Sequence, residues 1–264
     1  MMGRGKGRSV VHTVAEISAI RAAARATAWV RDELALRVQA GMTTLEVDRL
    51  AGELIRRTGG KSAFLGYRGF PGQICISVND EVVHGIGRPD RVLHVGDLVS
   101  LDVGVKLGIG IGDTATTVCV GGAPGPVQER LLRATRESLD AGMAAARSGN
   151  DVSEIGRAVQ AVVEAAGFSV VRDFVGHGCG LELHEPPEVP NFATKPKGPV
   201  LRPGMVLAIE PMVNAGTARV EVDRHDGWTV RTADGGLSAH FEHLVLITEQ
   251  EVEILTCPKT LAFE

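Results

Sequence analysis

Two aspartates interrupt an otherwise apolar stretch, DLVSLDVGVKLGIGIGDTATTVCV at residues 97–120. Read as two antiparallel strands around a tight turn near Leu107-Gly108, Asp102 and Asp113 fall opposite each other on one face. Like charges so placed destabilise a sheet, so something positive is expected between them. Two more carboxylates sit in comparable surroundings, Glu210 in VLAIEPMV and Glu242 in SAHFEHLVLI. Between the aspartate pair and the glutamate pair lies FVGHGCGLELHEPP, where His177 is wrapped in glycines and His184 precedes Glu185 and two prolines. Four carboxylates within apolar strands are costly unless cations compensate them. Two divalent ions would match the charge, and a carboxylate-rich set with a single imidazole suits Mn, Fe, Co or Zn. Paired metals of this kind can activate a water at neutral pH.

The elements that must position these groups can be read from periodicity. Val14, Ile17, Ile20, Ala24 and Ala28 predict a helix from about Val14 to Ala40, stopped by Gly41. A second follows, with Thr43 and Glu46 as a capping box, Val47, Leu50 and Leu54 as the inner stripe, and Gly59-Gly60 as the end. Short β-type runs then extend from Gln73 to Val120. The order repeats: Pro126 suits the first turn of a helix reaching about Arg147, and another runs from about Asp151 to Ala166. Strand-like runs return at FSVVRDFV, MVLAIEPMV, GWTVRT and SAHFEHLVLIT. The predicted organisation is a basic, flexible tail over residues 1–13 and one catalytic domain over 14–264. That domain comprises two related halves, about 14–122 and 126–255, joined by Gly121-Gly122-Ala123-Pro124-Gly125.

Composition narrows the class. The chain has 264 residues, 44% of them hydrophobic and 23% charged, as in an ordinary globular enzyme. A net charge of −4 argues against a generic nucleic-acid binder. The basic opening MMGRGKGRSV has no apolar stretch behind it and does not read as a signal peptide, nor is any run long enough for a membrane span. Cys75, Cys119, Cys179 and Cys257 lack paired spacing, which fits reduced thiols and a cytoplasmic location. GIGIGD lacks the Lys-Ser/Thr of a phosphate loop. His12, His94 and His225 have no motif around them and are expected at the surface; His240 and His243 flank Glu242 and are candidates for a supporting role.

In order and spacing, VVHGIG, SLDVGVKLGIGIGDTATTV, GHGCGLELHEPP, LAIEPM and HFEHLVLIT resemble the motifs of type I methionine aminopeptidases over about residues 14–255. The resemblance implies an α+β pita-bread fold, in which two pseudo-symmetric halves form a curved, mostly antiparallel sheet covered by helices. It implies an enzyme removing initiator methionine from nascent proteins when the second residue is small, with a dinuclear site of Co, Mn, Fe or Zn. By the same resemblance, Asp102 would be a terminal metal ligand, Asp113 and Glu242 bridging ligands, and His177 and Glu210 ligands of the other ion. A bridging hydroxide would attack the scissile carbonyl, with Glu210 as base or proton shuttle, and the substrate's α-amine would bind a metal. His184 would donate to the oxyanion, and His84 would contact the scissile nitrogen or the following residue and assist its departure. The methionine pocket would be built from Tyr67, Phe70, Cys75 and Trp228, with Phe64 and Leu183 nearby. Phe64, Phe70 and Leu183 stand where the commonest bacterial pattern has cysteine, tyrosine and phenylalanine. All three remain apolar, so a methionine preference is expected to persist.

Glu210 and Glu242 are only 32 positions apart, leaving no room for the helical insert of type II enzymes, so the short bacterial form is the best match. Two alternatives stay open. One is a proline-directed peptidase of the same fold, which would usually carry a further domain and extra histidines. The other is a non-catalytic pita-bread binding module, which would usually have lost ligands. Expected partners are nascent N-termini, with no DNA and no membrane, and a monomer is expected. Arg4, Lys6 and Arg8 read as a solvated tail, with contact to the ribosome near the exit tunnel as the alternative.

Overall fold

The computed structural model describes residues 10–257; Arg4, Lys6 and Arg8 lie outside them. Helix α1 spans Val14–Arg37 and is opened by Thr13, whose hydroxyl accepts from Glu16 N while the Glu16 carboxylate accepts from Thr13 N. The same reciprocal cap of Thr43 and Glu46 opens α2, Thr44–Arg57. The strands β1 (Lys61–Ser62), β2 (Cys75–Val78), β3 (Glu81–Val83), β4 (Leu98–Leu107) and β5 (Gly110–Cys119) follow. Then come α3 (Pro126–Ala145), with proline in the first turn, and α4 (Val152–Ala165). The chain continues through β6 (Ser169–Val170), β7 (Gly176–Gly178), β8 (Glu185–Val189), β9 (Val206–Ile209) and β10 (Met212–Asn214). It ends with β11 (Val220–Val222), β12 (Val230–Thr232), β13 (Ser238–His240), β14 (His243–Leu246) and β15 (Glu253–Ile254). Among the described residues, helix, helix, strands runs twice along the chain, and every strand pairing is antiparallel. No helix among the described residues is long and apolar enough to cross a membrane.

Helix α1 ends three residues before the predicted Ala40, at an extended Val38. Its first predicted core residue, Val14, is 84% exposed. The buried face is instead built mainly from small residues, Ala23, Ala24, Ala26, Thr27 and Ala28. This lets α1 lie directly on β5. A Cβ on Gly112 would stand 2.6 Å from Ala24 Cα and 2.4 Å from Thr27 Oγ1, and one on Gly110 would stand 2.4 Å from Ala19 O. The glycines of GIGIGD therefore form a seat for a helix.

The ten-residue strands β4 and β5 pair through Leu107 with Gly110, so the turn is Gly108-Ile109, one residue later than the sequence reading placed it. Asp102 accordingly faces Ala115, and Asp113 faces Gly104. The two acids are diagonal rather than directly opposed, an offset of two residues that keeps both on one face.

Strands β9 and β10 pair with β14 and β13 in one continuing register, His243 with Ile209 and Met212 with His240. Glu210 and Glu242 occupy the opposed positions where that ladder breaks, so neither is inside a strand as predicted. The halves are interlaced rather than merely adjacent. Strand β3 pairs with β12, Glu242 N donates to Ala115 O at 3.0 Å, and Thr117 bonds both backbone groups of His240. One apolar core lies between α3, α4 and the second-half strands, a second beneath α1 and α2, and a third where the halves meet.

Candidate metal centre

The docking of Glu242 onto β5 carries a second-half carboxylate to the aspartates of the first half. Glu242 O accepts from the Thr114 hydroxyl at 2.7 Å, and that hydroxyl accepts at 2.7 Å from Arg31, a buried cation on α1. As a result, ligand atoms of Asp102, Asp113 and Glu242 lie within 4.8 Å of one another. His177 Nε2 stands 3.9 Å from Asp113 Oδ2 and 3.4 Å from Glu210 Oε1, which joins the remaining two predicted ligands to the group. The structure thus brings all five residues together from β4, β5, β7 and the two breaks in the second-half ladder.

The electrostatics of these groups favour a cation among them. Burial raises the Asp102 carboxyl to about 7, although the Cys75 thiol across the β2–β4 pair donates to it and pulls the other way. Burial, then the neighbouring acids, push Asp113 and Glu242 well above the usual carboxylate range, and burial with Asp102 does the same to Glu210. Asp113 Oδ1 and Glu242 Oε1 find no hydrogen-bond donor among the described residues. Burial lowers His177 to about 4, so the ring is neutral at pH 7. Its Nδ1 lies 2.9 Å from the Gly178 carbonyl, which fixes the proton on Nδ1 and leaves the Nε2 lone pair facing two acids. A lone pair and several carboxylate oxygens converging in a dry site are the donor set of a hard or borderline divalent ion.

Two further histidines border the acids. His184 stacks on Tyr67 with ring centroids 5.3 Å apart, and its Nδ1 lies 2.9 Å from the Tyr67 hydroxyl. Its ring centroid is 4.1 Å from that of His177, and burial lowers it to about 3. His84 adopts a left-handed backbone with φ of 59°, a conformation that costs a non-glycine residue free energy and is typical of constrained sites. Its ring meets Phe174 and Trp228 edge-on, and burial lowers it to about 4. Phe64, Phe70, Cys75 and Leu183 are buried in the core between the halves, with Tyr67 and Trp228 packed against it. Phe70 and Trp228 make an edge contact at 5.2 Å. A Cβ on Gly104 would lie 2.4 Å from the Phe64 ring, so the residue facing Asp113 is bare to seat that ring. The apolar cluster is therefore contiguous with the acids.

The family follows from these residues in this order. A model of metallopeptidase family M24 matches residues 18–249. The chain belongs to family M24. It is 46% identical over 247 residues to methionine aminopeptidase 1 of Bacillus subtilis, covering 94% of this chain and 98% of that one. It is 41% identical over 250 residues to the methionine aminopeptidase of Escherichia coli, covering 94% of each. Among solved structures, the methionine aminopeptidase of Thermotoga maritima superimposes with a TM-score of 0.92 at 42% identity, over 95% of this chain and 100% of that one. A prolidase of Pyrococcus furiosus shares the fold at 23% identity and a TM-score of 0.76, but this chain spans only 66% of its length. The M24 fold is the α+β pita-bread architecture expected from the motifs.

Three placements differ from or extend the sequence reading of this M24 chain. His12, expected at the surface, is 5% exposed, with Nε2 3.1 Å from Glu185 Oε2. The predicted tail is therefore already packed at residue 12, whereas His94 and His225 are exposed as expected. His240 and His243 separate: His240 Nε2 is 3.7 Å from Glu210 Oε2, while His243 Nδ1 turns to the Thr256 hydroxyl at 2.9 Å. Arg31 and Asn191, whose side-chain amide donates to Glu210 O at 3.1 Å, were not foreseen. Nothing in their sequence neighbourhood marks either as part of a site; Thr114, a hydroxyl beside Asp113 in an apolar run, was the one visible signal.

Proposed function

We propose that the chain is a metal-dependent aminopeptidase that removes the N-terminal methionine from nascent proteins whose second residue is small. The observation that carries the proposal is His177 with its Nε2 turned to Asp113 and Glu210, beside buried carboxylate oxygens that have no donor among the described residues. Asp102, Asp113, His177, Glu210 and Glu242 would hold two divalent ions, whose total charge offsets the four acids. When bound, such ions supply Lewis acidity and lower the pKa of water.

The chain's own groups divide the remaining work. Glu210, buried and prone to keep a proton, suits a proton carrier at its carboxylate. His184 Nδ1 lies 2.9 Å from the Tyr67 hydroxyl; with that hydroxyl donating, the imidazole proton resides on Nε2, where it would donate to the oxygen of the scissile carbonyl as charge develops. His84, held by Phe174 and Trp228, presents its neutral ring to the scissile nitrogen. Phe64, Phe70, Cys75, Leu183, Tyr67 and Trp228 form an apolar wall suited to a flexible thioether. The substrate class places the enzyme in the cytoplasm with nascent chains.

The test is methionine release from a Met-Ala-Ser peptide by chelator-stripped protein resupplied with Mn, Fe, Co or Zn, alongside an Xaa-Pro peptide. Metal-dependent release that is lost on Asp113→Asn supports the proposal. Cleavage of the Xaa-Pro peptide alone would replace it with a proline-directed activity.

A further inference from the structure

The segment preceding α1 reaches the turn that carries His184. His12 N donates to Gly204 O at 2.9 Å and Val10 N to Pro186 O at 3.3 Å, which ties the segment down on both sides. The imidazole between these tethers points at Glu185, which is itself only 9% exposed. Glu185 Oε1 accepts from Leu181 N at 2.8 Å and Glu182 N at 3.0 Å, closing the 180–185 turn with its own side chain. The second oxygen, Oε2, has His12 Nε2 at 3.1 Å as an ion-pair neighbour outside hydrogen-bond geometry, and no hydrogen-bond partner among the described residues. Gly180 starts the turn and is bonded to β5 through Ile111 N at 2.7 Å. A Cβ on Gly180 would lie 2.8 Å from His12 Nε2, so the turn is bare where the imidazole crosses it.

We propose that His12 is a positioning residue for His184, holding the 180–185 turn in place through the Glu185 carboxylate; this rests on the aminopeptidase reading above. A buried carboxylate oxygen deprived of its one ion-pair neighbour is costly, and the relief open to Glu185 is to swing outward. That movement releases Leu181 N and Glu182 N and frees the turn. His184 is the residue just before Glu185, and among the described residues its one side-chain hydrogen bond is to Tyr67. Its ring is therefore set by the backbone of the turn. A displacement of about 1 Å at a group that must meet a developing charge costs about 100-fold in turnover.

The experiment is a set of variants assayed with Mn-loaded protein on Met-Ala-Ser. His12→Ala lowers kcat by about 10- to 100-fold, with KM and calorimetric Mn affinity within about twofold of wild type. His12→Gln, which keeps a side-chain N–H donor, restores kcat to within about threefold of wild type, the loss expected from a slightly misdirected hydrogen bond. In a His184→Ala background, His12→Ala causes no further loss. A wild-type kcat in His12→Ala, an equal loss in the His184→Ala background, or no rescue by His12→Gln would overturn the proposal. If His12→Ala does not fold, the double variant His12→Ala/Glu185→Gln leaves no buried charge; it shows the same loss of kcat, and normal turnover there is also fatal to the idea. The ring ¹⁵N shifts of His184 report the clamp without turnover: they move in His12→Ala, and unmoved signals overturn it. Absence of methionine release from the wild-type chain counts instead against the aminopeptidase reading.

Discussion

Replacing Glu242 by Gln should change the stability of this chain in opposite directions with and without metal. Ligand atoms of Glu242, Asp102 and Asp113 lie within 4.8 Å of one another. Two charges at that distance and an effective dielectric constant of about 20 repel by about 3 kcal/mol. Protonation caps this cost. Keeping a carboxyl protonated at pH 7 against its ordinary value of 4.5 also costs about 3 kcal/mol. In the metal-free chain, Gln removes the cost, so Glu242→Gln is more stable than wild type at pH 7 by up to about 3 kcal/mol. For a domain of this size that is a rise in Tm of up to roughly 6–12 °C. The sign follows from a carboxyl that binds its proton more tightly in the folded than in the unfolded chain. Its contribution to stability falls as pH rises from 4.5 through the raised folded value, so the advantage of Gln fades toward pH 4.5. Saturating Mn reverses the order: at 100 times Kd, wild type gains about 2.7 kcal/mol from binding, and the variant loses most of that gain with its ligand. Urea melts at pH 4.5 and 7.5, in chelator and in Mn, measure all four states. A variant that is less stable than wild type in chelator by the same amount at both pH values, with its Mn-dependent shift intact, would refute the charge argument.

Three other substitutions test separate parts of the arrangement. Gly112→Ala drives a methyl to within 2.6 Å of Ala24 Cα, so α1 must lift from β5; urea denaturation should show a loss of about 1–3 kcal/mol, with weaker metal binding because Asp113 is the next residue. Tyr67→Phe removes the partner of His184 Nδ1 and should lower kcat about fivefold, the worth of about 1 kcal/mol, without changing Mn affinity by calorimetry. Arg31→Met breaks the bond to Thr114 that supports Glu242 from behind; Mn affinity should fall about 10- to 100-fold while the Met-Ala-Ser KM changes little.

The acids themselves were legible because a carboxylate inside an apolar strand run has few inexpensive explanations, and the histidines because glycines and prolines isolate them. Helix starts were equally plain: Thr43 with Glu46 and Pro126 satisfy their caps with residues three or fewer positions away, which is information a local window contains. Register was not so secure. Moving the hairpin turn by one residue, from Leu107-Gly108 to Gly108-Ile109, turns a facing pair of aspartates into a diagonal one without altering any sequence pattern.

What the sequence determined by itself was the set of candidate ligands, the doubled order of helices and strands, and the apolar character of the residues beside them, since each depends on residue type and nearby spacing. What tertiary structure alone decided was which group supports which. Arg31 reaches Thr114 across 83 positions, Thr114 reaches Glu242 across 128, and His12 meets Glu185 where nothing along the chain links them. Such partners are chosen by the closure of one half on the other. Burial removes water from every polar group there and leaves only distant parts of the chain to replace its hydrogen bonds.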